Sequence, residues 1–178
     1  MTVRWQRPAR SKASRRDVRL VLTTAAVGAG LLALSTHTVR PVLIYNPSPS
    51  APLGYYRALA PTSIRLGDWV LVDAPDAART LADARGYLPS TVPMIKAIAG
   101  LAGDRICAHG KTISINGQAV AMRLAVDHKG RTLPWWQGCT TLGHDDVFLL
   151  NVRAVNSFDG RYFGPVKRSA IRARLVPL

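Results

Sequence analysis

The chain has 178 residues and a net charge of +14 at pH 7, and 48% of its residues are hydrophobic. This length accommodates one domain with an appendage and excludes two full hydrophobic cores. The hydrophobic content excludes an intrinsically disordered chain, which the charge alone would favour.

The N-terminus combines a basic tail with an uncharged segment. Residues 1–19 contain seven basic side chains and one Asp, a charge of +6, and residues 20–39 contain no charged side chain. At about 1.5 Å per residue, a helix over 20–39 reaches about 30 Å, enough to cross the hydrocarbon core of a bilayer. The segment therefore predicts a transmembrane helix. A cleaved secretory signal is the alternative, because Ala33 and Ser35 are small residues at a cleavage-like spacing.

The charge asymmetry also predicts an orientation. Because basic flanks stay on the cytoplasmic side, we expect residues 1–19 to form a cytoplasmic tail and residues 40–178 an exported domain. The protein would then be a single-pass protein of the inner (cytoplasmic) membrane, with its main domain in the periplasm or an equivalent extracytoplasmic space. The 17 basic residues of that domain are scattered and have no accompanying aromatic stripe, so we interpret them as surface charge and expect no nucleic acid partner. The membrane is an expected partner through the predicted span.

The segment after the predicted span is rich in proline. Residues 41–61 contain five prolines among Ser and Asn, a composition that predicts an extended strap without a helix. Within it, Pro49 and Pro52 lack amide hydrogens and fix φ around Ser50. A serine held in this way, with its own N–H and the Ser48 hydroxyl nearby, is suited to act as a nucleophile and to stabilise an oxyanion. The alternative is an ordinary Pro/Ser linker.

The remaining sequence predicts mostly β structure. Strand patterns occur at 69–72, 94–99, 112–115, 118–122, 147–152 and 170–176. Asn116-Gly117 predicts a tight hairpin turn, because both residues tolerate positive φ. One short helix is predicted at 76–85, with Asp76 as its N-cap and Gly86 as its terminator. Successive strands with little helix predict an antiparallel β domain, either a sandwich or a partly closed barrel.

Lys96 lies in an apolar strand pattern. Alternation places Met94, Lys96 and Ile98 on one face of the strand. Loss of solvation disfavours the ammonium form and lowers a lysine pKa, which is how a lysine becomes a general base. The alternative is an edge-strand lysine that reaches water and discourages edge pairing.

The two cysteines, Cys107 and Cys139, lie 32 positions apart. In an exported domain they predict one disulfide, with two buried thiols as the alternative. The four histidines show no metal-ligand spacing, and glycine loops of the nucleotide-binding type are absent from the sequence. We therefore expect neither a metal nor another cofactor.

Three motifs occur in a familiar order. They are SAPLGY at 50–55, a lysine strand followed by GLAGDR at 100–105, and NSFDGRYFGPV at 156–166. Together with the basic tail and the predicted span, they resemble the type I signal peptidase family of Ser/Lys proteases. The Ser-x-Pro-x-Gly-Tyr form is similar to the TraF-type branch, the conjugative-transfer peptidases that mature pilin precursors. The likeness covers about residues 45 to 178.

The resemblance implies a fold, an activity and a set of residue roles. The fold would be a membrane-anchored, mainly β, antiparallel domain. The implied roles are Ser50 as nucleophile, Lys96 as general base, Ser48 in the oxyanion hole, Ser157 as the residue that orients the lysine, and Asp159 with Arg161 as a bracing ion pair. The sequence departs from the housekeeping pattern at Ala51, Ala102 and residues 151–153, where Asn-Val-Arg replaces Gly-Asp-Asn.

The expected function is therefore that of a serine endopeptidase that cleaves an exported protein precursor after small residues. The expected precursor is a pilin of a conjugation apparatus. Two alternatives remain, a general type I signal peptidase and a non-catalytic membrane-anchored scaffold of a secretion or conjugation apparatus.

Overall fold

The computed structural model describes residues 15–35 and 42–178. Contacts divide the chain into two units, residues 1–40 and residues 41–178. The first unit contains helix α1, Arg15–Ser35. Within the described ranges, no helix combines the length and the apolar character needed to cross a membrane. Part of the predicted cytoplasmic tail, 1–14, and the end of the predicted span, 36–39, lie outside the described residues.

The second unit is mainly β. Its elements are β1 Leu43–Asn46, β2 Gly54–Leu59, β3 Trp69–Val72, α2 Asp76–Ala84, β4 Met94–Gly100, β5 Arg105–His109, β6 Thr112–Ile115, β7 Gln118–Met122, β8 Gly138–Thr141, β9 Asp146–Leu149, α3 Gly160–Phe163, β10 Val166–Lys167 and β11 Ile171–Pro177. A seven-stranded sheet has the order β1-β2-β11-β3-β4-β9-β10, and a four-stranded sheet has the order β7-β6-β5-β8. The strand pairs of both sheets are antiparallel, which confirms the mainly β, antiparallel part of the predicted fold class.

The seven-stranded sheet is built from strands that are distant in sequence. Strand β11 lies between β2 and β3, and β4 lies between β3 and β9. On β4 every second residue is buried, and Lys96 belongs to that buried set together with Met94 and Ile98. The apolar members of the set join the main core, so the lysine emerges from a hydrophobic layer.

The four-stranded sheet follows local signals. Asn116 and Gly117 have φ of 52° and 84°, and the two-residue turn pairs Ile115 with Gln118, as predicted for the hairpin. Cys107 on β5 pairs directly with Cys139 on β8, and the two residues are joined by a disulfide. The sheet packs onto the other through a cluster that includes Ile106, Ile113 and Phe148 of β9.

Three local predictions need correction. The proline-rich strap is a hairpin, because the prolines at 47, 49 and 52 all fall in the connection and leave β1 and β2 free to pair. The strand predicted at 147–152 ends at Leu149. Asp76 does not cap α2; Pro75 occupies the N-cap and Asp76 pairs with Arg79 in the first turn.

Candidate active site

The loop between β1 and β2 is organised by Asn46. This residue is 4% exposed, and its amide nitrogen donates to the carbonyls of Ser48, Ala51 and Pro52 at 2.9, 3.1 and 3.0 Å. Its amide oxygen accepts the Ser48 N–H at 3.1 Å. One buried side chain therefore satisfies four backbone groups of a loop whose prolines cannot donate. An Asn directly before a Pro/Ser run is the sequence signal for such a turn, although sequence reasoning did not select it.

This loop places two serines side by side. The Oγ atoms of Ser48 and Ser50 are 3.0 Å apart, and the Ser50 N–H donates to Ser48 Oγ at 3.3 Å. The Ser48 hydroxyl can therefore receive one hydrogen bond from the Ser50 backbone while directing its own proton elsewhere. This geometry agrees with the neighbouring positions that the sequence analysis expected for a nucleophile and an oxyanion donor.

Lys96 is buried and held by one polar partner. Its side chain is 5% exposed, and Nζ donates to Ser157 Oγ at 2.9 Å. Burial lowers the pKa of Lys96 to about 8, with Asp159 acting in the opposite direction and Arg161 adding to the decrease. An amine with this pKa loses its proton far more readily near neutrality than an exposed lysine. The predicted pairing of Lys96 with Ser157 is present in the structure.

Asp159 and Arg161 form a buried ion pair close to Ser157 in the chain. Asp159 is 0% and Arg161 is 1% exposed, and the distance from Oδ1 to Nε is 3.2 Å. Asp159 also caps α3 by accepting the Arg161 N–H. The guanidinium donates to the carbonyls of Val155 and Asn151 at 2.9 and 2.6 Å. The pair therefore fixes both ends of the loop that presents Ser157.

A cleft of about 600 Å³ connects the two serines of the loop with Lys96 and Ser157. Ser48, Ser50, Lys96 and Ser157 all line it, and the remaining walls are largely apolar, with contributions from Leu88, Val92 and Leu133 among others. A serine hydroxyl and a buried amine that face one cleft can perform acyl transfer, since the amine can accept the hydroxyl proton. Asp159 and Arg161 lie behind the cleft and do not line it.

The disulfide lies away from this cleft. Cys107 and Cys139 are not among the lining residues. His109 Nε2 is 3.5 Å from Cys139 Sγ, so these three side chains form a compact group of ligand-type atoms in the part of the chain that the structure describes. Because the disulfide uses both sulfurs, the group has no free thiolate to bind a metal.

Sequence reasoning missed a second asparagine. Asn151 entered the sequence analysis only as a departure from the family pattern, yet it is 3% exposed and contacts the segments of both Ser50 and Lys96. A lone Asn after a strand gives no signal of this kind, because its partners lie 54 and 101 positions away.

Comparison with known proteins shows the family to which this chain belongs. The family described as "Signal peptidase, peptidase S26" matches residues 15–177. The chain therefore belongs to the S26 signal peptidase family.

The curated relatives of this chain carry names that refer to plasmid or conjugal transfer. A plasmid transfer protein TraF of Escherichia coli is 31% identical over 145 residues, covering 75% of this chain and 80% of the relative. A conjugal transfer protein TraF of Agrobacterium tumefaciens is 30% identical over 174 residues, covering 92% of this chain and 96% of the relative. A solved signal peptidase I of Enterococcus faecalis is 17% identical, covers 65% of this chain and 98% of its own, and has a TM-score of 0.39, too low to bear on the fold.

Proposed function

We propose that this protein is a membrane-bound serine endopeptidase in which Ser50 is the nucleophile and Lys96 the general base. The observation that carries the proposal is the buried amine of Lys96, which has a lowered pKa, bonds to Ser157 and faces the same cleft as Ser50. Burying a lysine costs free energy, so a fold that retains one at the wall of a cleft beside a serine favours a catalytic role.

The proposed reaction follows from these groups. Ser50 Oγ attacks the scissile carbonyl carbon while neutral Lys96 accepts the hydroxyl proton. The oxyanion receives a hydrogen bond from the Ser48 hydroxyl, which lies 3.0 Å from the nucleophile. The lysine ammonium then gives its proton to the leaving amine, and the acyl-enzyme forms. A water molecule, activated by Lys96, releases the acyl group and restores Ser50.

The proposed substrate is an exported precursor cleaved after small residues, namely a pilin subunit of a conjugation apparatus. The names of the relatives, which refer to plasmid and conjugal transfer, support this assignment over general secretion. The proposed setting is the inner membrane, with the N-terminus in the cytoplasm and residues 40–178 on the periplasmic side. The charge of +6 before the uncharged segment 20–39 supports that orientation.

Topology is tested with a reporter that is active only after export. Fusion at Leu178 should give an active reporter, and fusion near Lys12 should give a silent one. The reverse pattern would overturn the proposed compartment.

Cleavage is tested with purified full-length protein in detergent. Wild type should cut a conjugative pilin precursor, and the rate should rise with pH through about 8, the lowered pKa of Lys96. Ser50→Ala, Lys96→Met and Lys96→Arg should each be inactive, the last because a guanidinium stays protonated. Cleavage near the wild-type rate by any folded variant would remove the Ser50/Lys96 mechanism, and no cleavage by the folded wild type would favour the scaffold alternative. Equal cleavage of an unrelated signal-bearing precursor would favour a general signal peptidase.

A further inference from the structure

We propose that Asn151 is a positioning residue that fixes the segment carrying Ser50 against the strand carrying Lys96. This inference rests on the proposed function and deepens it, since Asn151 would set the geometry of the two reacting side chains without contacting the substrate.

The Asn151 amide spans both partners of the proposed dyad. Its Nδ2 donates a short hydrogen bond to the carbonyl of Ser50 and a longer one, 3.4 Å, to the carbonyl of Ile95. Its Oδ1 accepts the N–H of Ala97 at 2.9 Å. Ile95 and Ala97 are the two chain neighbours of Lys96. One planar side chain is therefore bonded to the nucleophile's own backbone and to the backbone on both sides of the base.

The Asn151 backbone is itself fixed by the buried ion pair. Its N–H donates to Asp159 Oδ2 at 3.0 Å, and its carbonyl accepts from Arg161 at 2.6 Å. These two hydrogen bonds fix the position of the Asn151 backbone, from which the side chain extends. The ion pair, Asn151 and the two reactive residues thus form one continuous network of hydrogen bonds, which explains how a charge pair outside the cleft can affect geometry inside it.

The loop that carries Ser50 depends on this link. Among the hydrogen bonds of the described residues, the other contacts of residues 47–53 go to the hairpin itself, to Asn46 and the Tyr56 hydroxyl. Asn46 therefore shapes the loop, while Asn151 attaches it to β4. Ser50 is only partly buried, so without this attachment the loop could shift relative to Lys96.

The expected effect is on the chemical step. Displacement of a reacting group by about 1 Å can reduce a rate about 100-fold, whereas the apolar cleft that binds the peptide stays intact. We therefore expect variants at Asn151 to lower kcat by about 10- to 100-fold and to change KM by no more than about twofold.

The test compares Asn151→Asp and Asn151→Ala over a range of pH. The aspartate variant keeps the shape and the acceptor for the Ala97 N–H, but it cannot donate to the Ser50 carbonyl. Its added negative charge should raise the pKa of Lys96 and move the acid limb of the profile to higher pH. Loss of positioning, in contrast, should lower the plateau of kcat at alkaline pH, where Lys96 is neutral in every variant. The plateau therefore separates positioning from charge.

Ile113→Val is the control for lost stability. Ile113 has no exposed surface and lies on β6, in the other sheet, so this variant should lower the melting temperature and keep the wild-type kcat. Ser50→Ala in the same assay tests the proposed function separately. Residual cleavage by Ser50→Ala would contradict the Ser50/Lys96 dyad itself, whereas the Asn151 variants test only how the dyad is positioned.

The outcomes are decisive for Asn151. A reduced plateau with KM preserved in either folded variant supports the inference. A wild-type plateau in folded Asn151→Asp and Asn151→Ala overturns it, as does a change confined to KM. Failure of both variants to melt cooperatively would also overturn it, because Asn151 would then hold the fold and not the dyad.

Discussion

The two sheets bury different kinds of side chain. Around the seven-stranded sheet, the buried residues include Lys96, Asn151, Ser157, Asp159 and Arg161. In the strands of the four-stranded sheet the buried side chains are all apolar, namely Ile106, Ala108 and Ile113. One buried charge lies beside them: Arg123, directly after β7, is 1% exposed and donates to the carbonyls of Gly110 and Trp136. Buried polar and charged groups cost free energy unless they are paired, so their concentration at one place marks the part of the fold that is shaped by function.

The contrast also concerns how each region is stabilised. The four-stranded sheet relies on a tight turn, an apolar cluster and the disulfide, all of which act without reference to the cleft. The cleft depends on a connected set of polar contacts that join Lys96 to Ser157, Asn151 to Asp159 and Asp159 to Arg161. Damage to the first region should therefore reduce stability alone, and damage to the second should reduce both stability and activity.

The largest expected effect is that of Asp159→Asn. Removing one charge of a buried pair leaves Arg161 unpaired, which should lower the free energy of unfolding by about 3–5 kcal/mol. Loss of the carboxylate also removes a contribution that raises the Lys96 pKa, so the acid limb of activity in any folded fraction should move to lower pH. Urea denaturation and a pH–rate profile measure the two effects.

Asp76→Asn is the matched control for that prediction. Asp76 pairs with Arg79 at 2.6 Å, but its side chain is 92% exposed. A surface pair contributes at most about 1 kcal/mol, so this variant should melt close to the wild type. Equal losses for Asp159→Asn and Asp76→Asn would contradict the distinction between the two regions.

The next effect is that of removing the disulfide with Cys107→Ser and Cys139→Ser together. The bond joins residues separated by 32 positions. Closing a loop of that length restricts the unfolded chain and contributes about 3–4 kcal/mol in the chain-entropy treatment. We expect a lower midpoint in urea with kcat unchanged at 25 °C in the folded protein. A fall in kcat comparable to the loss of stability would show that the small sheet is coupled to the cleft.

The same contrast explains how far the sequence could predict the fold. The hairpin of the four-stranded sheet was predicted to the residue, because Asn116-Gly117 and the strands beside it are adjacent in the chain. The hairpin around Ser50 was taken for a strap, because its composition is dominated by prolines that all lie in the connection. Strands β1 and β2 form a sheet with β11, which is more than 100 positions away, and no local pattern records that pairing.

The candidate site was predictable in part for a similar reason. Ser50, Lys96 and Ser157 stand in motifs that resemble a family, so the residues were selected before their geometry was known. The strand pattern placed Lys96 among apolar neighbours but left open an edge-strand lysine that reaches water. Asn46 and Asn151 act through their contacts with backbone carbonyls and amides. Such contacts depend on the folded arrangement. Asn46, directly before a Pro/Ser run, still signals a turn, whereas Asn151 leaves no pattern in residue type or spacing.

A smaller effect is expected for Gly160→Ala. This variant tests how closely α3 packs against β9, whose Leu149 and Phe148 belong to the two main hydrophobic clusters. A Cβ at Gly160 would lie 2.6 Å from the Leu149 carbonyl oxygen and 2.7 Å from Phe148 Cε2. Backbone and ring must both shift, which should cost about 1–3 kcal/mol and disturb the flanking ion pair. Gly143→Ala is the control, because the nearest atom there is a carboxylate oxygen of Asp146 at 3.2 Å, at the end of a movable side chain. Thermal melts should rank wild type and Gly143→Ala above Gly160→Ala, and the reverse ranking would contradict the prediction.

A further effect is a pH-dependent difference in stability between the wild type and Lys96→Met. The pKa of Lys96 is about 8 in the folded protein and about 10.4 in an unfolded chain. Between these values the unfolded chain binds more protons at this site, so the stability of the wild type rises with pH there. Below about pH 8 the cost of burying the amine is present in full, and above the unfolded pKa it is gone. Methionine does not titrate, so the stability of Lys96→Met relative to wild type should be greatest at pH 7 and should shrink by pH 10.

The measurement is the difference in melting temperature between the two proteins at pH 7 and at pH 10. In the variant, Ser157 loses its partner at both pH values, which offsets the absolute difference without changing its dependence on pH. Lys111→Met removes a charge from an exposed position outside the cleft and controls for the change in net charge. If the difference between wild type and Lys96→Met is the same at both pH values, the buried amine does not titrate in this range. The region around the cleft would then differ from the four-stranded sheet in the kind of side chain it buries, but burying Lys96 would carry no pH-dependent cost in free energy.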